Sequence, residues 1–333
     1  MSTNTEAAPG GPTPVKVYLY GGSLKWTCFE PLHPLLAEAG VRIVRTPSEA
    51  DVCVARYWRW KSLLKYRWRL GGKRFLLYND EPNWPGATTR LRQRRFLLPS
   101  VHVMVPENGE IFQDVTNIFG WAWKREPGRI HSGVKKHPAR MLCMLARKGK
   151  ITDKSRRLRP DGYDLRGVRL HIAEEAQKRG LADIFGLGWA DSVRVGESRG
   201  GDKGEWHDAK LPIMDEYGFA MAMENTLLEN YVTEKIWDAA QCSALPLYYG
   251  NDWIYSEFPR DSFLDVRNFS SVEDLLRSVV EMDSAEMARR VAACASVYIR
   301  LQREGEHRRS EHRHLQHLAE RLRALRAVGR FSR

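Results

Sequence analysis

The sequence has no apolar run of eighteen residues, so no bilayer-spanning helix is expected. Its first fourteen residues, MSTNTEAAPGGPTP, lack an apolar stretch, and neither a signal peptide nor a membrane anchor is expected there. No Cys-x-x-Cys pair occurs, and the five cysteines (Cys28, Cys53, Cys143, Cys242, Cys294) are odd in number and widely spaced. That argues against a disulfide framework or a zinc knuckle, and for a reducing, cytoplasmic compartment. Asp-x-Asp is also missing, so no such carboxylate pair is available to hold a metal against a diphosphate. Acidic residues are in deficit: 41 Asp and Glu stand against 53 Lys and Arg, a net charge of +12. The excess calls for an anionic partner, and charge alone does not choose among nucleic acid, anionic lipid and a nucleotide.

What is present is the composition of a soluble globular protein, with 43% hydrophobic and 28% charged residues. The 333 residues leave room for two domains. Short apolar runs at 15–20, 41–44, 51–55, 75–78 and 101–105 alternate with helical segments at 35–39, 59–69 and 87–97. This alternation predicts a Rossmann-like α/β half. A polar, basic stretch at 125–140 reads as a linker. A second α/β half follows, with a strand at 141–146, a helix at 167–179, a strand at 182–186 and a Gly-rich loop at 196–204. The expected divisions are a flexible tail 1–14, a first domain 15–135, a second domain 136–283 and a helical basic segment 284–333.

The stretch 217–250, YGFAMAMENTLLENYVTEKIWDAAQCSALPLYYG, reads as one βαβ unit. The apolar runs 219–223 and 245–249 are too short for helices and read as buried strands, while Val232, Ile236, Ala239 and Ala240 recur at helical spacing. Two strands joined through a helix are parallel, with a right-handed crossover. Glu224 and Asn225 then fall at the carboxyl end of the first strand, and Glu234 and Lys235 in the first turn of the helix. That edge is where open α/β sheets bind ligands. A helix N-terminus there suits a phosphate, with Lys235 as a further positive charge, and Glu234 and Asn225 suit ribose hydroxyls. Glu and Lys at a helix start also occur for dipole and solubility reasons alone.

The same stretch resembles the donor-binding signature of the family 10 glycosyltransferases, the α-1,3/4-fucosyltransferases. Tyr217, Phe219, Glu224, Asn225, Thr226, Tyr231, Val232, Thr233, Glu234, Lys235, Pro246 and Gly250 match it, and Phe258, Pro259, Ser262, Phe263 and Phe269 match the segment that follows. Gly218 stands where a Lys is usual, and Met223 replaces a Phe. The resemblance spans about residues 210–280 and is that of a bacterial-type member. It implies an α/β fold of GT-B type, two Rossmann-like domains facing a cleft. It further implies an inverting transfer of L-fucose from GDP-fucose to a glycan hydroxyl, with no cofactor and no metal, in surface glycan or lipopolysaccharide synthesis. Arg169, Glu224, Asn225, Tyr231, Thr233, Glu234 and Lys235 are the implied donor-binding residues, with Arg169 at the place of a phosphate-binding arginine. Arg166 and Arg147 are alternatives to it. A Glu-x7-Glu pair, Glu216 and Glu224, matches a pattern of retaining transferases, but the Gly-rich context of that pattern is missing.

For the base that accepts the acceptor proton, Asp80 and Glu81 in FLLYNDEPNWP follow a predicted strand and so sit at a carboxyl edge. Glu81 is preferred, since the family places its base in the corresponding region. Two basic segments remain. RYWRWKSLLKYRWRLGGKR at 56–74 interleaves tryptophan with positive charge, which suits single-stranded nucleic acid, sugars or an amphipathic surface helix. No nucleic-acid motif accompanies it, so no nucleic-acid partner is expected. The alternative functions are a GT-B transferase using a different nucleotide sugar and, in another class, a basic nucleic-acid-binding protein. In the C-terminal segment, Leu315, Leu318, Leu322 and Leu325 form a stripe among arginines, which suits peripheral contact with an anionic inner membrane face or a packed terminal helix equally. His312, His314 and His317 do not make up a zinc site.

Overall fold

The computed structural model describes residues 13–20, 33–55, 74–80, 82, 90–91, 101–106, 109–116, 123–130, 133–147, 164–196, 206–229 and 231–327. The chain divides into two compact units, residues 1–111 with 311–333, and residues 112–310. Each holds one α/β sheet, as expected for a fold of GT-B type.

In the first unit, β1 (Val15–Tyr20), β2 (Val41–Val44), β3 (Val52–Ala55), β4 (Arg74–Tyr78), β5 (Arg90–Leu91) and β6 (Val101–Met104) form one sheet in the order β2-β1-β3-β4-β6-β5. All pairings are parallel except β5 with β6. Helix α1 (His33–Glu38) connects β1 to β2. β3 is buried along its whole length, as expected for a parallel strand covered on both faces. The helix expected over 87–97 is described only at Arg90 and Leu91, and these pair as a strand. The stretch 56–73 lies outside the described residues.

The second unit holds β7 (His137–Arg147), α2 (Arg166–Lys178), β8 (Ala182–Leu187), β9 (Arg194–Gly196), α3 (Trp206–Met214), β10 (Tyr217–Met221), α4 (Glu234–Gln241), β11 (Leu245–Tyr248) and β12 (Leu264–Asp265). Helices α5 (Val272–Glu281), α6 (Ser284–Arg303) and α7 (Glu306–Ala327) follow. The sheet runs β12-β11-β10-β7-β8-β9, all parallel. Counted within the unit, this is the order 3-2-1-4-5-6 of the dinucleotide-binding fold, with the topological switch between β7 and β10. Alternate strand residues feed two apolar layers. Met141, Cys143, Phe219, Met221, Leu245 and Leu247 pack with α2 and α5, while Leu142, Ala220 and Tyr248 pack with α4 and α6 around Trp237. The four described cysteines are buried, and none is in a disulfide among the described residues.

Residues 125–140, expected as a linker, belong to this second unit. Trp123 packs on Trp237 and Tyr298 at centroid distances of 4.7 and 5.0 Å, and Arg125 pairs with Asp215 at 2.6 Å. The C-terminal helix is likewise integral. Leu315, Leu318, Leu322 and Leu325 of α7 are all buried, and the part of α7 in the first unit bonds to that unit. There Arg321 pairs with Glu110 at 2.9 Å, Tyr78 Oη and His314 Nε2 lie 2.9 Å apart, and Arg74 donates to the carbonyls of Leu325 and Arg326. The apolar stripe is therefore consumed by packing.

Gly218, where the family resemblance calls for a lysine, has a structural reason. The β7–β10 register shifts between Tyr217 and Phe219. A Cβ built on Gly218 would lie 1.8 Å from the carbonyl oxygen of Pro138. No side chain fits without separating the two strands at the switch point. Gly218→Ala should destabilise the fold by roughly 3 kcal/mol, read as a lowered urea midpoint. A midpoint equal to wild type would mean that β7 yields freely.

Candidate functional site

The candidate site lies beyond the carboxyl end of β10, next to the switch point. β10 runs out into Met223, Glu224 and Asn225, and the chain returns through Tyr231 and Val232 to the start of α4. Glu224 is 0% exposed. Its Oε1 accepts the backbone N–H of Thr233 at 2.8 Å, and its Oε2 accepts the Thr233 hydroxyl at 2.6 Å. The Lys235 ammonium lies 3.4 Å from the same Oε2 and donates to Thr233 Oγ1 at 2.6 Å. Burial pushes the Glu224 carboxyl up from its ordinary range, and Lys235 and the two Thr233 bonds pull it back. Thr233 stands at the N-cap position of α4 without capping the helix by its side chain. The first-turn N–H groups of α4 are thus left without a hydroxyl cap, the condition under which a helix start receives an anion.

Arg169 approaches from the first turn of α2, the helix that follows β7. Its guanidinium is 8% exposed and donates to Asn225 Oδ1. Its Nε finds no partner among the described residues. Burial lowers its pKa, opposed by the charges of Glu224 and Glu234, yet a guanidinium stays protonated throughout the working range of a protein. A buried unsatisfied N–H of this kind costs on the order of 1–3 kcal/mol, which an anionic oxygen would recover. Arg166 is exposed and bonded to Asp164 at 2.9 and 2.8 Å, outside this group. The Arg147 side chain lies outside the described residues.

Glu234 and Lys235 follow in the first turn of α4, with Lys235 Nζ 3.5 Å from Glu234 Oε1. Beyond them lie two residues that periodicity did not single out. Lys210 on α3 is 6% exposed and Asp238 on α4 is 1% exposed. Lys210 Nζ sits 2.5 Å from Asp238 Oδ2 and 3.9 Å from Glu234 Oε1. Burial pushes the Asp238 carboxyl up to about 6, with Lys210 opposing the shift. A signal for the pair existed: Asp238 stands four residues after Glu234, inside the apolar run Ile236–Ala240, and two like charges on one helix face call for a cation. Tyr231 is buried and meets Phe112 edge-on at 4.9 Å.

The structure thus gathers Arg169, Glu224, Asn225, Thr233, Glu234 and Lys235 at one sheet edge. Glu224 is wholly enclosed, with both oxygens engaged by the protein. Glu81 lies outside the described residues, while the neighbouring Asn79 and Asp80 are buried at the end of β4. Among the described residues, no group of three or more His, Cys, Asp or Glu is placed to hold a metal ion, and no helix is long and apolar enough to cross a membrane.

Residues 168–290 match the family described as glycosyltransferase family 10 (fucosyltransferase), C-terminal part, and this span contains every member of the cluster. The matched span lies wholly within the second unit. An alpha-(1,4)-fucosyltransferase of Arabidopsis thaliana is 32% identical over 84 residues, 25% of this chain and 21% of that protein. A GDP-fucose protein O-fucosyltransferase 3 of Xenopus laevis is 35% identical over 75 residues, 21% of this chain and 15% of that protein. The matches therefore span about a fifth or less of the relatives' length. A crystal structure of an alpha1,3-fucosyltransferase superposes with a TM-score of 0.51 at 14% identity, covering 87% of this chain and 84% of that one, which supports the fold.

The raised Asp238 carboxyl gives a pH signature. Between its ordinary value near 4 and about 6, the folded protein holds a proton that the unfolded chain releases. Its stabilising contribution is therefore complete below pH 4 and lost as pH rises through 6. From pH 4.5 to 7, wild type should lose about 2 kcal/mol more stability than Asp238→Asn. Urea midpoints of both proteins at the two pH values test this, and parallel changes would show that Asp238 titrates normally.

Proposed function

We propose that the protein is a fucosyltransferase that moves L-fucose from GDP-fucose to a hydroxyl of a glycan acceptor, with inversion and without a metal. The observation that carries the reading is the placement of Arg169 and Lys235 together at the switch point of a 3-2-1-4-5-6 sheet, beside a helix start with no hydroxyl cap. Two cations and a helix dipole there suit a leaving diphosphate. Glu224 holds the turn, while Glu234 and Asn225 face ribose hydroxyls. The relatives support the donor assignment through what they share. Their printed names specify different products, an alpha-(1,4) linkage in one and protein O-fucosylation in the other. What the two names have in common is fucosyl transfer, which supports a fucosyl donor.

In the proposed reaction the acceptor oxygen forms the new bond to the sugar's anomeric carbon as the bond from that carbon to the phosphate oxygen breaks. The acceptor proton passes to Glu81, and GDP departs with the electron pair, its added charge met by Arg169 and Lys235. The acceptor in this reading is a surface glycan such as lipopolysaccharide, reached from the cytoplasmic face. With the leucine stripe buried, contact with an anionic membrane would fall to exposed arginines such as Arg308.

Calorimetry with GDP, UDP, ADP and CMP, with and without a chelator, tests the donor. Tight GDP binding that ignores the chelator is expected, and a preference for another nucleotide would discard fucose. Lys235→Ala and Arg169→Ala should each weaken GDP binding by about ten- to a hundredfold. Glu81→Gln should bind GDP-fucose as wild type does and fail in transfer. An unchanged transfer rate would put the base elsewhere.

A further inference from the structure

The charges at the head of α4 alternate in sign along one connected row: Asp238, Lys210, Glu234, Lys235, Glu224. The successive separations are 2.5, 3.9, 3.5 and 3.4 Å. Two features of the row stand out physically. Glu234 Oε1 lies between two ammonium groups, Lys210 and Lys235, which restricts how the carboxylate rotates. Lys210 comes from another element, α3, and is itself held by a carboxylate that is 1% exposed.

Glu234 and Asp238 stand four residues apart on one helix, where like charges repel. Without Lys210 between them, Glu234 would turn away from Asp238 toward Lys235, 3.5 Å away, and change direction. An exposed lysine could exchange such a partner for water, but one that is 6% exposed cannot. Desolvation also strengthens each attraction in the row relative to water.

We propose that Lys210 is a positioning residue for the nucleotide site, acting through Glu234 without touching ligand, with Asp238 as the counter-ion that holds it. Lys210 fixes the direction in which the Glu234 carboxylate meets a ribose hydroxyl. Discrimination for the ribose therefore originates one residue behind the residue that makes the contact. The inference rests on the reading above, in which Glu234 faces the ribose of a guanosine diphosphate.

The test compares GDP with 2′-deoxy-GDP and 3′-deoxy-GDP by calorimetry. Wild type should bind at least one deoxy analogue about tenfold more weakly than GDP. Glu234→Ala should bind all three alike. Lys210→Met, folded by circular dichroism and thermal melting, should also lose the discrimination, while Lys210→Arg should retain most of it. Where Lys210→Met does not fold, the double variant Lys210→Met with Asp238→Leu removes both buried charges together and gives the same readout. A Lys210 variant that weakens all three ligands equally, with the ratio intact, would show a merely structural lysine and overturn the proposal. Wild type that binds GDP without discriminating the analogues would overturn the ribose contact and this inference, leaving the diphosphate reading standing. Wild type that fails to bind GDP would remove both.

Discussion

A carboxylate with no solvent contact holds the site together. Glu224 sits at the end of β10 with its charge removed from water, a condition a folded protein sustains only when the ion is paired and bonded. The partners come from one place, the residues that open α4: the N–H and hydroxyl of Thr233 and the ammonium of Lys235. A side chain at the strand's end is thereby locked to the start of the crossover helix, nine residues later. Replacing Glu224 by a neutral residue would take a counter-ion from the partly buried Lys235 and orphan the Thr233 N–H, so geometry at the helix start depends on this ion. The N-cap threonine is spent on the clamp, and that is what leaves the first helical turn without a hydroxyl cap.

The net charge of +12 does not describe this site. Arg169, Lys210 and Lys235 are matched there by Glu224, Glu234 and Asp238, three against three. Attraction for a diphosphate would therefore come from where the positive groups stand, with the helix dipole behind them, and not from a local excess of positive charge. Such a balance also explains how so many ionisable groups tolerate burial. Each has an opposite charge within 4 Å or, for Arg169, a bond to Asn225 and the field of two glutamates. Electrostatic preorganisation of this kind is set before any ligand arrives.

Much of this was legible in the sequence, and what was not has physical reasons. The strands β1, β2, β10 and β11 and helix α4 emerged from apolar runs and a 3.6 period, because buried parallel strands and a one-sided helix leave those traces. The strand order did not, since β7 pairs with β10 across about 80 residues and nothing local records that contact. Helix α3 was missed because Pro212 lies inside it, and with it went Lys210. The stretch 125–140 looked like a linker because it is rich in Pro, Gly and basic residues. Its Arg125 is instead bonded to Asp215, and composition does not show where a charge is spent. Gly218 read as a departure from a family pattern, yet the close approach of Pro138 makes it the residue this backbone requires.

The C-terminal helix shows why a basic amphipathic pattern is ambiguous in principle. A leucine stripe flanked by arginines satisfies the requirements of a membrane surface and of a protein surface alike, because both offer apolar contact bordered by negative charge or carbonyl oxygen. In this chain the stripe is buried, and the flanking arginines reach specific acceptors in the first unit: Arg321 to Glu110, Arg323 to the carbonyl of Ala39, Arg326 to those of Thr13 and Pro14. A bilayer supplies no fixed carbonyls at fixed distances, so arginines that end on individual backbone oxygens indicate a helix shaped for one protein surface. The first unit is accordingly made from both ends of the chain. Its α/β half is completed by residues that the sequence places farthest from it.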